Sequence, residues 1–503
     1  MEDATATKVV IVGAGPVGLT LACDLARRGV GVRIIDRAEQ FQVGTRARGV
    51  RGRTQEVFED LGVLDELRKH AEAPGTSRFY DEDGNVVRDV VMYDAPPVPG
   101  APYPGSLMAG QQFTEAVLRE RLASHGVAVE LGGEFTGFRQ DGDGVTADVR
   151  FAGRREEIRA RYLVGCDGAG STVRKQAGIS FLGETWERQR MLFGNLTVDG
   201  LDDSVAHLWA AGPGGMLSLA PMPKSGTWFF TAPLPSEGGG EPVSVEAFAG
   251  IFAERVGLPG VSFRDPVYLS VYQVNIRMVD RYRSGRVLLA GDAAHVHPPA
   301  GGQGMNTGVQ DAYNLGWKLA RVLRGAPESL LDTYEEERMP VARHVLDTTV
   351  ARGRHWAAAG AAQVADRMRG TFEGKDPFSD VSGLSLHYRG SSLARQLDDG
   401  IGVRAGDRAP DAHGTDTGTG ERVRLFDLFR GTHFTLLLFG SRPAPVAGED
   451  VRVHRIAGDE AFERYGVKDG GLVLVRPDGY IALAGGAWDD RSVADYLAPL
   501  AVE

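Results

Sequence analysis

The sequence predicts an α/β protein in which a βαβ unit opens the chain, an antiparallel sheet interrupts that first domain, and a smaller α/β unit closes it. Three observations carry this reading. Residues 8–13, KVVIVG, form a buried-strand run that leads through GAGPVGLTLACDLARRG into a second strand, VGVRIID, at 30–36; Val17, Leu21 and Leu25 share one helical face between them. Residues 182–279 change character, with short runs such as SVAHLWA, MLSLAPM, TWFFTAP and VYLSVYQVNI separated by Gly/Pro turns. The α/β pattern resumes at GRVLLAGD, and the last hundred residues, from GDRAPD, alternate strand runs such as FTLLLFG and GLVLVRPDG with helical stretches.

In order along the chain, 53–69 reads as a helix, 80–108 is rich in Pro, Gly and Tyr with little periodicity, and FTEAVLRERLASHG is again helical. VTADVRF and IRARYLVGCDG read as strands that end at a second Gly-rich turn, and TGVQDAYNLGWKLARVLRG as an amphipathic helix. Residues 326–370 are mostly helical, and 371–400 turn Gly-, Ser- and Asp-rich. The expected division is a discontinuous nucleotide-binding domain (1–79, 109–181 and 280–370), an inserted domain (80–108 and 182–279), a linker (371–400) and a C-terminal domain (401–503).

Composition removes several function classes. A formal net charge of −11 argues against a nucleic-acid partner, because phosphate binding needs a basic surface. The two cysteines, Cys23 and Cys166, have neither CxxC nor zinc spacing, so no disulfide framework and no metal are expected. The opening MEDATATKVVIVG lacks the basic start and apolar core of a signal peptide, and no apolar run approaches the roughly 18–20 residues of a membrane span. A soluble cytoplasmic protein is expected.

Gly13, Gly15 and Gly18 form G-x-G-x-x-G between a strand and a helix, with Asp36 closing the next strand. The first glycine makes the turn, the second admits a pyrophosphate to the backbone, the third lets helix pack on strand, and the acid accepts from a ribose. Two further signatures follow: Asp167-Gly168 ahead of Ser171 and Arg174, and Gly291-Asp292-Ala293-Ala294-His295. With these three in this order, residues 7–345 resemble the class A flavoprotein aromatic hydroxylases of the para-hydroxybenzoate hydroxylase type. The resemblance implies a glutathione-reductase-like domain that holds FAD permanently, with NADPH or NADH as a visiting electron donor.

It also implies roles by position. Gly13, Gly15, Pro16, Val17, Gly18, Asp36 and Arg37 belong to the dinucleotide site, as do Asp167 and Gly168. Arg46 and Arg48 match a basic stretch that touches FAD, Arg46 also being a catalytic candidate. Gln111, or alternatively Gln112, bonds the cofactor. Gly291 and Asp292 approach the ribityl or pyrophosphate region. Gly301, Gly302, Gly304, Met305 and Asn306 border the isoalloxazine ring, where backbone N–H groups opening a helix offset the charge of reduced flavin. Pro299 matches the position whose carbonyl faces the substrate hydroxyl, a second catalytic candidate. His295 and His297 beside Asp292 lack a third ligand for a metal, and His295 reads as a packed, hydrogen-bonded loop residue.

The family reaction passes hydride from the nicotinamide to FAD, and the reduced flavin adds O2 to form a C4a-hydroperoxide that a phenol attacks. The pocket must exclude water, so apolar walls are expected. Leu217, Leu219, Trp228, Phe230 and Tyr272 are wall candidates, although alternate strand residues face opposite ways and sequence does not choose the face. No carboxylate clamp stands out in 206–279, which favours a large neutral phenolic or quinonoid substrate. The C-terminal hundred residues resemble the thioredoxin-like domain of phenol hydroxylase and of aromatic polyketide hydroxylases, here without cysteines, so thiol exchange is excluded. The expectation is a polyketide-tailoring aromatic hydroxylase taking a small aromatic substrate and O2, with a homo-oligomer left open. Baeyer-Villiger-type oxygenation, an FAD-dependent dehydrogenase and a flavin-binding interaction protein are the alternatives.

Overall fold

A computed structural model describes residues 7–92, 97–209, 216–234, 243–298, 301–357, 360–372 and 381–501. Strand Val9–Val12 is wholly apolar and buried, as a parallel strand covered on both faces must be. It pairs in parallel with Val32–Asp36 on one side and Tyr162–Gly165 on the other. Val129–Leu131 and Val287–Leu289 extend this sheet in parallel, and the short Arg283–Ser284 closes one edge antiparallel. Helix Pro16–Arg27 begins with proline in its first turn, where the missing N–H costs nothing. It crosses helix Gly304–Val322 closely: a Cβ on Gly308 would meet Val17 and one on Gly316 would overlap the Asp24 carboxylate.

The inserted domain is an eight-stranded sheet, and it corrects two expectations. It is mixed, because Thr76–Tyr80 runs parallel to Val205–Trp209, whereas the alternating patterns had implied a purely antiparallel sheet. It also starts before residue 80 and recruits helix Ala361–Phe372, expected in the nucleotide domain, whose Val364, Ala365 and Met368 pack on Phe79 and Val90. One face of the sheet is sealed by helix Val245–Arg255, with the Phe230 and Phe248 rings 4.6 Å apart.

The C-terminal unit is a seven-stranded sheet centred on the fully buried strand Phe434–Phe439. It shares a core with the first domain: Trp317 of helix Gly304–Val322 meets Phe434 edge-on at 5.8 Å, and its indole N–H donates to Asp478 Oδ2 at 3.0 Å. The stretch expected as a linker is, over residues 381–400, a packed strap. Tyr388 and Leu393 are buried, the Ser391 hydroxyl donates to Glu337, and Arg338 donates to the Tyr388 hydroxyl. Glycine and serine there serve tight packing and turns, which composition does not distinguish from looseness. Among the described residues no helix is long and apolar enough to cross a membrane.

Candidate active site

A single cavity of about 2690 Å³ runs from the first glycine turn to the face of the eight-stranded sheet that carries Phe193, Phe229 and Tyr272, with Ile251, Glu254 and Arg255 of helix Val245–Arg255 also on its wall. One ligand site usually occupies roughly 300–1,000 Å³, so this space suits a dinucleotide and a second molecule together.

The opening turn is shaped from both sides. Gly13 has φ +103°, and a Cβ there would collide with the Cys166 carbonyl; one on Gly18 would collide with the Gly13 carbonyl. A Cβ on Gly15 would meet nothing within 4 Å, which leaves the backbone there open to the cavity. Asp36 Oδ2 accepts the Ala14 N–H at 2.8 Å and Oδ1 the Ala38 N–H at 2.9 Å, so the acid also holds the turn. No side chain caps helix Pro16–Arg27 and its first turn carries no acid, so its positive end faces the cavity unneutralised.

The second turn is braced by Asp167, whose carboxylate accepts from the Ser171 hydroxyl and from the Thr172 N–H at 2.7 Å. Arg174 ties it to the third signature by donating to the Ala293 carbonyl at 2.9 Å. Gln111 lines the cavity and donates to Glu115 at 2.8 Å; Gln112 folds back over Gly110, outside the wall. Pro16, Val17, Arg37, Gly168, Gly302, Gly304 and Met305 also border the space. Asp292 does too, and burial raises its carboxyl pKa against the pull of His295 and Arg46.

Arg46 donates to the Tyr268 hydroxyl, and Arg48 lies 5.5 Å over the Phe229 ring, its pKa pushed down to about 10 by burial. Arg51, which the sequence reading passed over, donates to Ser106 at 2.7 Å and to the Gly301 carbonyl. Burial, then Arg352 and Arg48, lower its pKa to about 10. His297 borders the cavity with its Nδ1–H on the Pro298 carbonyl at 2.9 Å, and burial pushes its pKa down to about 4, so the ring is neutral.

Several expected contacts are elsewhere. Gly18, Gly291 and Asn306 do not border the cavity. Gly18 and Gly291 are packing positions, the latter with Val17 2.8 Å from where a Cβ would stand. Asn306 is a fastener that accepts the Arg51 N–H at 2.9 Å and donates to the Gly49 and Gly302 carbonyls. Pro299 lies outside the described residues. Of the sheet candidates only Tyr272 reaches the cavity; Leu217, Leu219, Trp228 and Phe230 point to the other face, into the core under Val245–Arg255. Their alternates Ser218, Ala220, Phe229 and Thr231 form the wall instead. The signal available was the apolar pair Phe248 and Phe252, which a whole sheet face must cover.

Behind the third turn lies a buried network, in which His295 is the packed, hydrogen-bonded loop residue expected and Asp311 and Arg338 are partners the sequence reading missed. Asp311 accepts from His295 Nε2 at 2.7 Å, from the Gly291 N–H at 3.1 Å and from Arg338 Nε at 2.7 Å. These three residues hold the loop in place from the side away from the cavity.

Residues 6–349 match the family described as FAD binding domain, and 403–500 the one described as aromatic-ring hydroxylase, C-terminal. This chain belongs to the FAD-dependent aromatic hydroxylases. It is 45% identical to a flavin-dependent monooxygenase of Mycobacteroides abscessus, over 97% of this chain and 99% of that protein. It is 37% identical to 6-methylpretetramide 4-monooxygenase of Streptomyces rimosus, over 96% and 91%. The crystal structure of aklavinone-11 hydroxylase with FAD and aklavinone superposes with a TM-score of 0.81 at 28% identity, covering 99% of each chain. The hydroxylase is therefore a flavin-dependent monooxygenase with FAD as cofactor. The residues present fit that group: an uncapped helix end, a glycine open to the cavity and the acid that ends strand Val32–Asp36 lie together at one end of the cavity.

Proposed function

We propose that this hydroxylase uses NADPH or NADH and O2 to add one oxygen to a large phenolic or quinonoid polycycle of the aromatic polyketide kind. The observation that carries the reading is the continuity of the cavity from the glycine turn to a sheet face that presents Phe193, Phe229 and Tyr272. Bound FAD supplies hydride acceptance and oxygen activation.

The chain's own residues supply the rest. The free N–H groups of helix Pro16–Arg27 hold the pyrophosphate and Asp36 a ribose, with Gln111 and the Asp167-Gly168 turn alongside. The start of helix Gly304–Val322, behind Gly302, offers backbone donors to charge on the reduced ring. Arg48 and Arg51 add positive charge to the same wall. Phe193, Phe229 and Tyr272 exclude water from the reacting face. The relatives named for 6-methylpretetramide and aklavinone support a polycyclic substrate. The C-terminal unit reads as a thioredoxin-like domain kept for packing, since it has no cysteine for exchange.

The test is nicotinamide oxidation by the purified protein against phenols, naphthoquinones and tetracyclic quinones, with products weighed by mass spectrometry. One compound that accelerates oxidation and gains a single oxygen on its ring supports the reading. An oxygen inserted beside a ketone indicates the Baeyer-Villiger alternative, and oxidation without oxygenated product defeats both.

A further inference from the structure

Methionines gather where the cavity passes the far strands of the sheet. Met92, Met216 and Met368 line it there, and with Met108, Met191, Met222 and Met305 elsewhere on the wall, seven of the chain's ten methionines border this one space. Met92, Met216 and Met368 pack with Ala206, Leu208 and Val364 in a single cluster where strands Thr76–Tyr80, Val86–Val91 and Val205–Trp209 meet helix Ala361–Phe372.

The position of this cluster sets a length. Tyr272, on strand Ser262–Val279, donates its hydroxyl to the His297 carbonyl at 3.3 Å and so marks the end of the sheet beside the Gly-rich loop. From that strand to Val205–Trp209 the sheet order crosses four spacings, about 19 Å at roughly 4.8 Å per strand. A single aromatic ring near the loop leaves the methionines untouched. A molecule that reaches both ends is elongated.

The residue type adds a second constraint. An unbranched thioether has three rotatable bonds and fits irregular shapes, and methionine-rich surfaces re-pack around different partners. A wall meant for one rigid shape is better made from Leu, Ile and Phe, whose rotamers are fewer. We infer that the methionine cluster is a distinct subsite that holds the apolar, non-reacting end of an elongated polycyclic substrate and adapts to more than one skeleton. This rests on the polycyclic reading above and adds where the remote end sits and which side chains select for length.

The experiment compares binding of two probes to the FAD-loaded enzyme, followed by perturbation of the flavin absorbance: a long one, 6,11-dihydroxy-5,12-naphthacenequinone, and a short one, juglone. The variants are M216A/M368A and, as the volume-keeping control, M216L/M368L. The subsite predicts that the alanine pair weakens the long probe about tenfold or more and changes the short probe less than about twofold, while the leucine pair stays within about threefold for both. Equal weakening of both probes, or of neither, overturns the subsite while leaving the polycyclic reading in place. If the wild-type enzyme binds juglone but not the tetracycle, the polycyclic reading itself falls, and the subsite with it. Unchanged flavin content in each variant shows that the fold is intact.

Discussion

Replacing Arg338 with methionine probes how the loop behind the flavin site is held. Arg338 is fully buried and donates to Asp311 Oδ1 at 2.7 Å, to the Tyr388 hydroxyl at 2.9 Å and to the Thr307 carbonyl at 3.1 Å. Burial alone would raise the Asp311 carboxyl, but Arg338, followed by His295, outweighs it and holds the pKa below the usual carboxylate range. Methionine keeps the stem and removes every donor. Breaking a buried pair from one side costs about 3–5 kcal/mol, so unfolding in urea at pH 7 should show a loss of that size. The sign with pH follows from the depressed folded pKa. The ionised carboxylate contributes stability above the unfolded value of about 3.9, and that contribution disappears as pH falls through the folded value. In R338M the carboxyl takes up its proton at higher pH, so the gap from wild type narrows in acid. Asp311, whose other oxygen accepts the Gly291 N–H, loses the anchor that fixes it, and FAD affinity should weaken about tenfold, as read by fluorescence titration. A variant within about 1 kcal/mol of wild type with unchanged FAD affinity would refute this reasoning.

Three further outcomes are expected. Gly18→Val forces a side chain into the Gly13 carbonyl, so the purified protein should lose its bound flavin absorbance; a yellow variant with full FAD content contradicts the packing argument. Phe230→Ala should cost about 3–5 kcal/mol in a denaturant titration and leave aromatic-probe affinity alone, whereas Thr231→Trp, one residue along on the cavity face, should block large probes with little loss of stability. His297 is held at a folded pKa of about 4, against about 6.5 unfolded, so the unfolded chain binds more protons between those values and stability falls as pH drops through that window. The penalty approaches about 3 kcal/mol, and H297Q should show a flatter stability profile from pH 6.5 to 4 if the assignment holds.

Much of the glycine-turn end of the cavity was legible because its rules are local. The G-x-G-x-x-G spacing places a strand, a tight turn and a helix end within six residues, and these dictate the same anion-binding geometry wherever they occur. The Asp36 position follows from the next strand, and the lining by Gly13, Gly15 and Gly302 follows from backbone that must come close to a ligand. Asn306 and Gly291 carried the right signature for another reason, since they hold the loop without bordering the cavity.

By itself, then, the sequence determined the α/β class, the nucleotide turn and the family signatures, all set by short-range spacing and conformational preference. Which face of the inserted sheet would meet the cavity was decided only in the folded protein. Period-two alternation supplies two faces of opposite chemistry, and helix Val245–Arg255 covers the one bearing Leu217, Leu219, Trp228 and Phe230. The strap at 381–400, the Asp311 network and the methionine cluster were likewise invisible, because each joins residues distant in sequence. Their energies come from burial and pairing across elements, which no local window contains.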